Sequence, residues 1–349
     1  MNTKNFTTKL TPLLSVILLA AFLLSSCGLP SAGTLKSGGR SGFQESGNYF
    51  DTVITVTVYK KNQEKYLDGC MKLAKKYEDL LSTTVKDSDI AKINAAKGRP
   101  VRVDPETAKL IQTGLSYARL SNGAFDITVG RLSSLWQDAI KDKKLPSQDA
   151  IQSAKASIGY QAVSVENNIV TVKNPDTELD LGGIAKGYIA DRMKDYLEKN
   201  GVTSGIINLG GNVLTLGKKA DGSSYTIGIQ KPFSETGEVM AKVSVKDLSV
   251  VTSGTYERYF KKDGKIYHHI LNLKTGYPEE NDVESATIFS KKSVDGDALS
   301  TIAFLLGPDQ GIPLIESLGF ECAYIMKDGS VKTSKNLVKK TGFQVLSMQ

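Results

Sequence analysis

The stretch DLGGIAKGY, residues 180–188, joins the end of a predicted strand to the start of a long predicted helix over 184–200. On both sides of this helix lie short segments rich in Val, Ile, Leu and Thr, a composition typical of strands. These segments are 162–165, 169–172, 205–209, 225–230, 241–245 and 248–252. Because the predicted helices are segregated from the short strands, the sequence indicates an α+β fold with mixed or antiparallel sheets and flanking helices.

Further predicted elements lie before and after this region. Residues 51–59 alternate Val and Ile with Thr, which predicts the opening strand, and a helix over 63–81 follows. Asp104 followed by Pro105 is a helix start with Asp as the N-cap, and an apolar stripe continues this helix to Ser121. Further helices are predicted over 129–141, 294–306 and 311–317, and further strands over 265–271, 284–289 and 322–326.

The N-terminal sequence has the organisation of a bacterial lipoprotein precursor. Two lysines precede an apolar run over 13–24, and LSSC at 24–27 fits the pattern at which such signal peptides are cut after lipid is attached to the Cys. The alternative is an ordinary signal peptide with an incidental Cys. We expect a signal peptide over 1–26, a lipidated Cys27, a Gly- and Ser-rich tether over 27–48 and a folded domain over 49–349. The lipid would anchor the protein at the extracytoplasmic face of a bacterial membrane.

Charge and cysteine content narrow the possible classes of function. The formal net charge is +7, and the Lys and Arg residues form only short runs without interleaved aromatic residues. A nucleic-acid partner is therefore not predicted. Besides Cys27, the chain has Cys70 in a predicted helix and Cys322 in a predicted strand. Two buried thiols are favoured over a disulfide, although the predicted compartment permits one.

Asp297 and Thr301 are four residues apart in a predicted helix and therefore share one helix face. A carboxylate and a hydroxyl that point the same way could bind a hard cation such as Mg²⁺. The chain's only two histidines, His268 and His269, lie upstream in a predicted strand that directs them to opposite sides. One of them could serve the site as a base, and a structural role is equally consistent with the sequence.

Two glycine pairs have both a structural and a functional interpretation. The pair at 182–183 precedes a helix whose N-terminus, together with Lys186, could hold phosphate oxygens, although a Gly-Gly helix entry is more often structural. The second pair lies in NLGGN at 208–212, which fits a hairpin turn or a close approach of the backbone to a ligand.

The motif GAFD at 123–126 follows the end of a predicted helix, with Gly123 as its C-cap. Asp126 could cap the next helix. Alternatively, Phe125 and Asp126 could stack on and hydrogen-bond to a planar ring. The sequence leaves both interpretations open.

Six motifs in this order resemble those of the ApbE family of FAD:protein FMN transferases, and the resemblance runs from about residue 49 to 329. They are GAFD at 123–126 with VG at 129–130, DLGGIAKGY at 180–188, NLGGN at 208–212, TSG at 252–254, HI at 269–270 with KTGYP at 274–278, and DALST at 297–301. Each motif is weak alone, whereas their shared order is specific.

The resemblance implies an enzyme that takes FAD as a substrate and transfers FMN, with Mg²⁺, to a Thr or Ser hydroxyl of an extracytoplasmic acceptor protein, releasing AMP. It implies that His269 is the base. It also implies a metal site at Asp297 and Thr301, with Gly183 and Ser300 as further metal positions. The implied FAD-binding positions are Phe50, Thr84, Ala124, Phe125, Asp126, Asp180, Lys186 and Leu271.

The chain departs from the family pattern at three positions. Relatives commonly have an aromatic residue where this chain has Thr84, an Asp where it has Asn272, and a further acidic or polar group where it has Ser300. The first difference could loosen ring stacking, and the other two could alter the surroundings of the metal. Two other functions stay open: an FAD pyrophosphatase that gives FMN and AMP, and a flavin-binding lipoprotein without catalysis.

Overall fold

The computed structural model describes residues 35–39, 42–234 and 238–346. The predicted signal peptide, the lipidation site Cys27 and the first part of the predicted tether lie outside the described residues. The helices are α1 (Leu67–Leu81), α2 (Asp89–Ala95), α3 (Pro105–Leu120), α4 (Gly130–Asp142), α5 (Gln148–Ala156), α6 (Ala185–Lys199), α7 (Ser293–Ser317) and α8 (Leu337–Thr341). Two 3₁₀ helices cover Lys61–Tyr66 and Tyr160–Ala162.

Strands are short and numerous, as the sequence predicts. The first nine are β1 (Leu35–Gly39), β2 (Gly42–Tyr49), β3 (Thr52–Val58), β4 (Val101–Arg102), β5 (Val163–Glu166), β6 (Ile169–Val172), β7 (Ser204–Leu209), β8 (Asn212–Gly217) and β9 (Tyr225–Gln230). The others are β10 (Val239–Val245), β11 (Ser249–Gly254), β12 (Tyr259–Lys262), β13 (Lys265–His268), β14 (Leu271–Asn272), β15 (Tyr277–Pro278), β16 (Val283–Ser290), β17 (Glu321–Met326), β18 (Val331–Thr333) and β19 (Gln344–Val345).

A nine-stranded sheet forms the centre of the domain, in the order β1-β2-β3-β7-β8-β11-β16-β17-β18. All neighbouring strands in it are antiparallel. One face packs on α1, α6 and α7 around the main apolar core. The other face packs on the three-stranded sheet β19-β10-β9 through a second core that includes Val250, Phe289 and Ile227. The α+β prediction of antiparallel sheets with flanking helices is therefore confirmed.

Helix α7 lies against β11, β16 and α6. It is long and apolar enough to satisfy the length and composition of a membrane span, yet Ala298, Leu299 and Ile302 are buried in the protein core. Gly307 leaves the helical conformation at φ 67° and ψ 173°, and Pro308 follows it. This break separates the two helices that the sequence predicts over this region.

The folded domain begins earlier than the sequence predicts, so the assignment of a tether up to residue 48 is wrong. Strand β2 pairs with β3 along its whole length, from Phe43 opposite Val58 to Tyr49 opposite Thr52. A Cβ at Gly47 would lie 2.6 Å from Cε2 of Tyr49, two residues along the same strand. The glycine that suggests flexibility here instead leaves room for the Tyr49 ring on a paired strand.

Two local predictions are settled by the strand pairing. The motif at 208–212 is a hairpin turn between β7 and β8, in which Gly210 and Gly211 adopt positive φ angles of 54° and 79°. The predicted strand over 265–271 is wrong in its continuity, because it divides into β13 and β14 around His269. Cys70 and Cys322 are both free and buried, which confirms the interpretation as thiols.

Candidate active site

A cavity of about 240 Å³ opens beside the N-terminus of α6 and the first turns of α7. All of the site residues predicted from the sequence within the described part of the chain line it, except Ser300. We call the part formed by Lys186, His269, Asp297 and Thr301 the charged end. We call the part formed by Phe50, Ala124, Phe125 and Asp126 the aromatic end.

Asp297 links the two helices of the charged end. Its Oδ2 accepts a hydrogen bond of 2.8 Å from the backbone N–H of Gly187 on α6. A Cβ at Gly187 would lie 2.3 Å from the carbonyl oxygen of Ser293, so only glycine lets α6 approach α7 this closely. The other carboxylate oxygen, Oδ1, lies 3.7 Å from Nζ of Lys186. Oδ2 of Asp297 therefore joins α6 to α7, and Oδ1 faces the ammonium group of Lys186 in the cavity.

Thr301 follows Asp297 by one turn and lines the cavity. Its hydroxyl lies 3.4 Å from Oγ of Ser253. Ser300 is fully buried instead, where its Oγ donates to the carbonyl of Asp297 and also contacts Ser253 at 2.8 Å. The structure thus brings Asp297 and Thr301 together on one helix face, as their spacing predicts, and places Ser300 behind that face. The assignment of Ser300 as a metal ligand stays a prediction.

The entrance to α6 faces the charged end. Asp180 Oδ1 accepts from the N–H of Gly182 at 2.7 Å, which closes a turn before the helix. Lys186 Nζ donates to the carbonyl of Gly182 at 3.0 Å. Gly183 lies close to the ring of Phe125. A Cβ at this position would be 2.9 Å from Cε2 of that ring, so a side chain is excluded here. The Gly-Gly pair therefore serves close packing and also exposes backbone beside a lysine and a helix N-terminus, where an anion is favoured.

His269 has the geometry of a neutral base. Its Nδ1 lies 3.4 Å from the carbonyl oxygen of Arg258, so a proton on Nδ1 leaves the lone pair on Nε2. Burial, together with the nearby positive charge of Arg258, lowers the pKa of His269 to about 3. His268 faces the core instead, with Nε2 3.1 Å from the carbonyl of Glu279 and its ring on the edge of Phe304. The prediction that the two histidines face different surroundings is confirmed.

At the aromatic end the polar groups are satisfied by the protein itself. Asp126 is buried and accepts from the N–H and hydroxyl of Thr128 and, through its other oxygen, from the N–H of Tyr160. Burial raises the pKa of Asp126. Among the described residues no side chain caps α4, so the interpretation of Asp126 as a helix cap is wrong. Phe125 packs edge-on against Tyr117, with 6.5 Å between ring centroids.

The remaining predicted positions lie around the cavity walls. Phe50 has a positive φ of 53°, and its N–H donates to Glu78 at 2.9 Å. Thr84 is exposed, and its hydroxyl is 3.0 Å from that of Ser82. Leu271 is buried beside His269.

Glu257, Arg258 and Asn212 are among the cavity residues that were not identified as site residues from the sequence. Glu257 and Arg258 follow the TSG motif in an irregular segment between β11 and β12. Desolvation by the cavity walls raises the pKa of Glu257 to about 7, and part of the side chain still contacts solvent. Asn212 is fully buried, and its Nδ2 has no hydrogen-bond partner among the described residues. The nearby motifs TSG and NLGGN were the available signals.

A metal ion at this site would be held mainly by oxygen atoms from different chemical groups. Among the described residues no cluster of three or more His, Cys, Asp and Glu side chains could hold a metal. The Asp297 carboxylate and the Thr301 hydroxyl, with backbone carbonyls of the α6 entrance nearby, are the ligand types that hard cations such as Mg²⁺ take. The donor chemistry of the charged end therefore fits such an ion.

Comparisons with known proteins identify similar sequences and structures. An FAD:protein FMN transferase of Klebsiella pneumoniae is 42% identical over 253 residues, which cover 72% of this chain and 78% of that protein. Another, from Treponema pallidum, is 33% identical over 339 residues, covering 90% of this chain and 92% of that protein. The crystal structure of the ApbE protein from Thermotoga maritima has a TM-score of 0.75 and 31% identity, and the match covers 88% of this chain and 98% of that one.

The flavin transferase ApbE from Vibrio cholerae has a TM-score of 0.76 at 25% identity, and the match covers 89% of this chain and all of that one. These likenesses extend over nearly the whole described domain. The family model named ApbE family matches residues 50–325, a span that contains both ends of the cavity. The chain therefore belongs to the ApbE family.

Proposed function

We propose that this protein is an FAD:protein FMN transferase that uses Mg²⁺ and attaches FMN to a Thr or Ser hydroxyl of an acceptor protein. The curated relatives are enzymes with this transferase name. The observation that carries the proposal is the charged end. There a lysine, a carboxylate, a hydroxyl and a neutral imidazole line one cavity beside a helix N-terminus. Phosphoryl transfer needs this combination, because it depends on charge neutralisation and on a positioned nucleophile.

The proposed reaction balances with one proton acceptor. The acceptor hydroxyl oxygen forms a bond to the phosphorus on the FMN side of the pyrophosphate, and the bond from that phosphorus to the bridging oxygen breaks. The hydroxyl proton passes to Nε2 of His269, and AMP leaves with the bridging oxygen. The lowered pKa of His269 keeps the imidazole neutral at physiological pH, which leaves the Nε2 lone pair free. The negative phosphates of bound FAD would raise this pKa and so strengthen His269 as a base.

Lys186, Asp297 and Thr301 would neutralise the negative charge of the FAD phosphates, the last two by holding a metal ion. Asp297 and Thr301, with the carbonyl of Gly183 by family similarity, would hold Mg²⁺, which when bound neutralises phosphate charge and orients the pyrophosphate. Lys186 would contact the same phosphates, since its Nζ already lies 3.7 Å from Asp297 Oδ1. The ring of Phe125 and the backbone around Ala124 would contact the flavin.

The proposal includes a location. LSSC at 24–27 supports cleavage before Cys27 and lipid attachment at that residue, which would hold the enzyme at the extracytoplasmic face of a membrane, near acceptor proteins exposed there. Mass analysis of the N-terminal peptide from native membranes tests this. We expect a diacylated or triacylated Cys27 in the wild type and a soluble or unprocessed chain for Cys27→Ser; an unmodified Cys27 would exclude the anchor.

The transfer itself is tested by intact-mass analysis of an extracytoplasmic candidate acceptor after incubation with the protein, FAD and Mg²⁺. A gain of one FMN that EDTA abolishes would support the proposal. FMN and AMP in solution with an unmodified acceptor would indicate the pyrophosphatase. Unchanged FAD with several acceptors, under conditions where FAD binding is measured directly, would indicate a flavin-binding protein without catalysis.

A further inference from the structure

A second cavity, of about 440 Å³, lies between the edge of the three-stranded sheet and the β7–β8 hairpin. We call it the edge groove. Its walls include the β9 residues 227–230, the hairpin residues Gly211 and Val213, and Val250 of β11. Its volume falls within the range of ligand-binding pockets. Of the motifs identified in the sequence, NLGGN at 208–212 reaches this groove, through Asn208 and Gly211.

The edge groove is continuous with the candidate active site. The residues that line both cavities are Asp51, Lys186, Gly210, Thr252, Glu257 and Arg258. Arg258 also holds His269, whose N–H and Nδ1 both lie near its carbonyl oxygen, at 3.2 and 3.4 Å. A chain in the groove would therefore reach the charged end by passing Glu257 and Arg258.

Strand β9 offers an open hydrogen-bonding edge along the groove. It is the last strand in the order β19-β10-β9, and its strand partner among the described residues is β10. The backbone N–H of Lys231 donates to the backbone carbonyl of Glu238 at 3.0 Å, so the backbone groups of Lys231 point toward β10. Because N–H and C=O groups alternate in direction along a strand, Gly228 and Gln230 face the other side, toward the groove.

The register of the neighbouring strands gives the same result. The N–H of Leu346 donates to the carbonyl of Met240 at 2.8 Å, so this carbonyl points toward β19. The register of β10 shifts between Val239 and Ala241, but the N–H of Ala241 lies on the opposite side of the same peptide plane and therefore points toward β9. Ala241 pairs with Ile229. The odd-numbered residues of β9 thus bond to β10, while the backbone groups of the even-numbered residues point away from β10 and have no strand partner in the described part of the chain. An exposed row of this kind is a template for an added strand.

The proposed reaction needs a separate binding site for the acceptor polypeptide, and the edge groove has the backbone groups to bind one. In an in-line displacement the acceptor hydroxyl approaches the phosphorus from the side opposite to the leaving AMP. A polypeptide acceptor therefore needs an entrance separate from the space that FAD fills. Free backbone donors and acceptors recognise an extended main chain whatever its side chains, and the glycine tip at 210–211 leaves room for it to pass.

We propose that the edge groove binds the acceptor protein as an extended segment that adds to β9 and directs its Thr or Ser hydroxyl past Glu257 and Arg258 to His269. This inference rests on the proposed transferase function. The groove residues Gly228 and Gln230 contact the acceptor main chain, while FAD stays in the first cavity.

The kinetic test compares Gln230→Pro with Gln230→Ala in the otherwise intact protein. Proline removes an N–H that faces the groove and none that bonds to β10, whereas alanine keeps that N–H and shortens the side chain. We expect Gln230→Pro to raise KM for the acceptor roughly tenfold, the factor that loss of one backbone hydrogen bond produces, with KM for FAD unchanged. Gln230→Ala should raise the acceptor KM by much less than Gln230→Pro, since it removes no backbone donor.

Hydrogen exchange of the wild-type protein provides a test that needs no variant. Excess acceptor should slow exchange in a peptide covering 225–230, and FAD alone should leave it unchanged. Equal acceptor KM for the two Gln230 variants together with unprotected β9 amides would overturn the proposal. A raised KM for FAD in Gln230→Pro would also overturn it, because FAD would then occupy the groove. Failure of the wild type to transfer FMN would instead contradict the transferase function itself.

Discussion

The two ends of the cavity differ in where their polar groups find partners. At the aromatic end, both oxygens of Asp126 accept hydrogen bonds from Thr128 and Tyr160. At the charged end, Asp297 Oδ1 and Lys186 Nζ face each other across 3.7 Å, with both in the cavity. The first arrangement builds a rigid wall, and the second keeps charge available for a ligand. Changes at the charged end should therefore affect turnover, and changes at the aromatic end should affect binding and stability.

Asp297→Asn is the strongest test of this comparison. Asparagine keeps an oxygen that can accept from Gly187 N–H, so the link between α6 and α7 should persist while the negative charge is lost. We expect FMN transfer to slow by roughly 10³-fold, the effect of removing a group that stabilises charge in the transition state. Steady-state kinetics with a Mg²⁺ titration measure this.

Thermal unfolding of the same variant is the control, and its Tm should stay close to that of the wild type. A wild-type rate at every Mg²⁺ concentration would exclude Asp297 from the metal site. A large fall in Tm would mean that both oxygens of Asp297 serve the fold, which would remove the contrast between the two ends.

His269→Gln should have the next largest effect. Glutamine can still donate to the Arg258 carbonyl but cannot take a proton, so we expect kcat to fall by about a hundredfold, within the range for loss of a general base. The dissociation constant for FAD should change little. Presteady-state kinetics and FAD titration separate the two, and an equal loss in both would make His269 a binding residue.

The low pKa of His269 gives this prediction a pH dependence. The unfolded chain has an ordinary His pKa of 6.5, and the folded value is about 3, so between these values the unfolded state binds more protons. The free energy of unfolding should therefore fall as pH drops through this window, and less steeply in His269→Gln. Chemical denaturation between pH 4 and 7 measures both slopes; parallel slopes would place the His269 pKa near its ordinary value.

The sequence predicts the charged end better than the aromatic end for a physical reason. Asp297 and Thr301 are related by helix periodicity, which is local and visible in one sequence. Asp126 depends on Tyr160, which is 34 residues away in the chain and reaches it only through the tertiary fold. The sequence therefore left its role open between a cap and a ring contact, and neither describes the hydrogen bonds that it makes.

The features missed by the sequence analysis are those set by strand order. Gly and Ser in β2 suggest a tether by composition, yet the strand is fixed by its pairing with β3. Glu257 lies in an irregular segment with no periodic signal. The edge groove exists because β9 is the last strand of its sheet, which no local pattern reveals.

Asp126→Asn tests the aromatic end. Asparagine has one accepting oxygen, so its NH₂ group would face a donor, either at Thr128 or at Tyr160. We expect the free energy of unfolding to fall by about 1–3 kcal/mol, the cost of a buried donor left unpaired. FAD affinity should weaken, while kcat at saturating FAD stays near the wild-type value. A selective loss of kcat would mean that Asp126 takes part in the chemistry.

Thr84→Tyr should produce the smallest effect and sharpens the comparison at the cavity mouth. Thr84 is exposed, so a larger side chain there displaces only solvent and should leave stability unchanged. Because relatives commonly have an aromatic residue here, the ring should stack on FAD and lower its dissociation constant by roughly threefold, as expected for one partly exposed aromatic pair. Thr84→Leu is the matched control, since leucine adds apolar surface without a ring. Equal affinities for the tyrosine and leucine variants would show that apolar area alone matters there. An unchanged dissociation constant in both would place the bound rings of FAD deeper in the cavity, against Phe125 of the aromatic end.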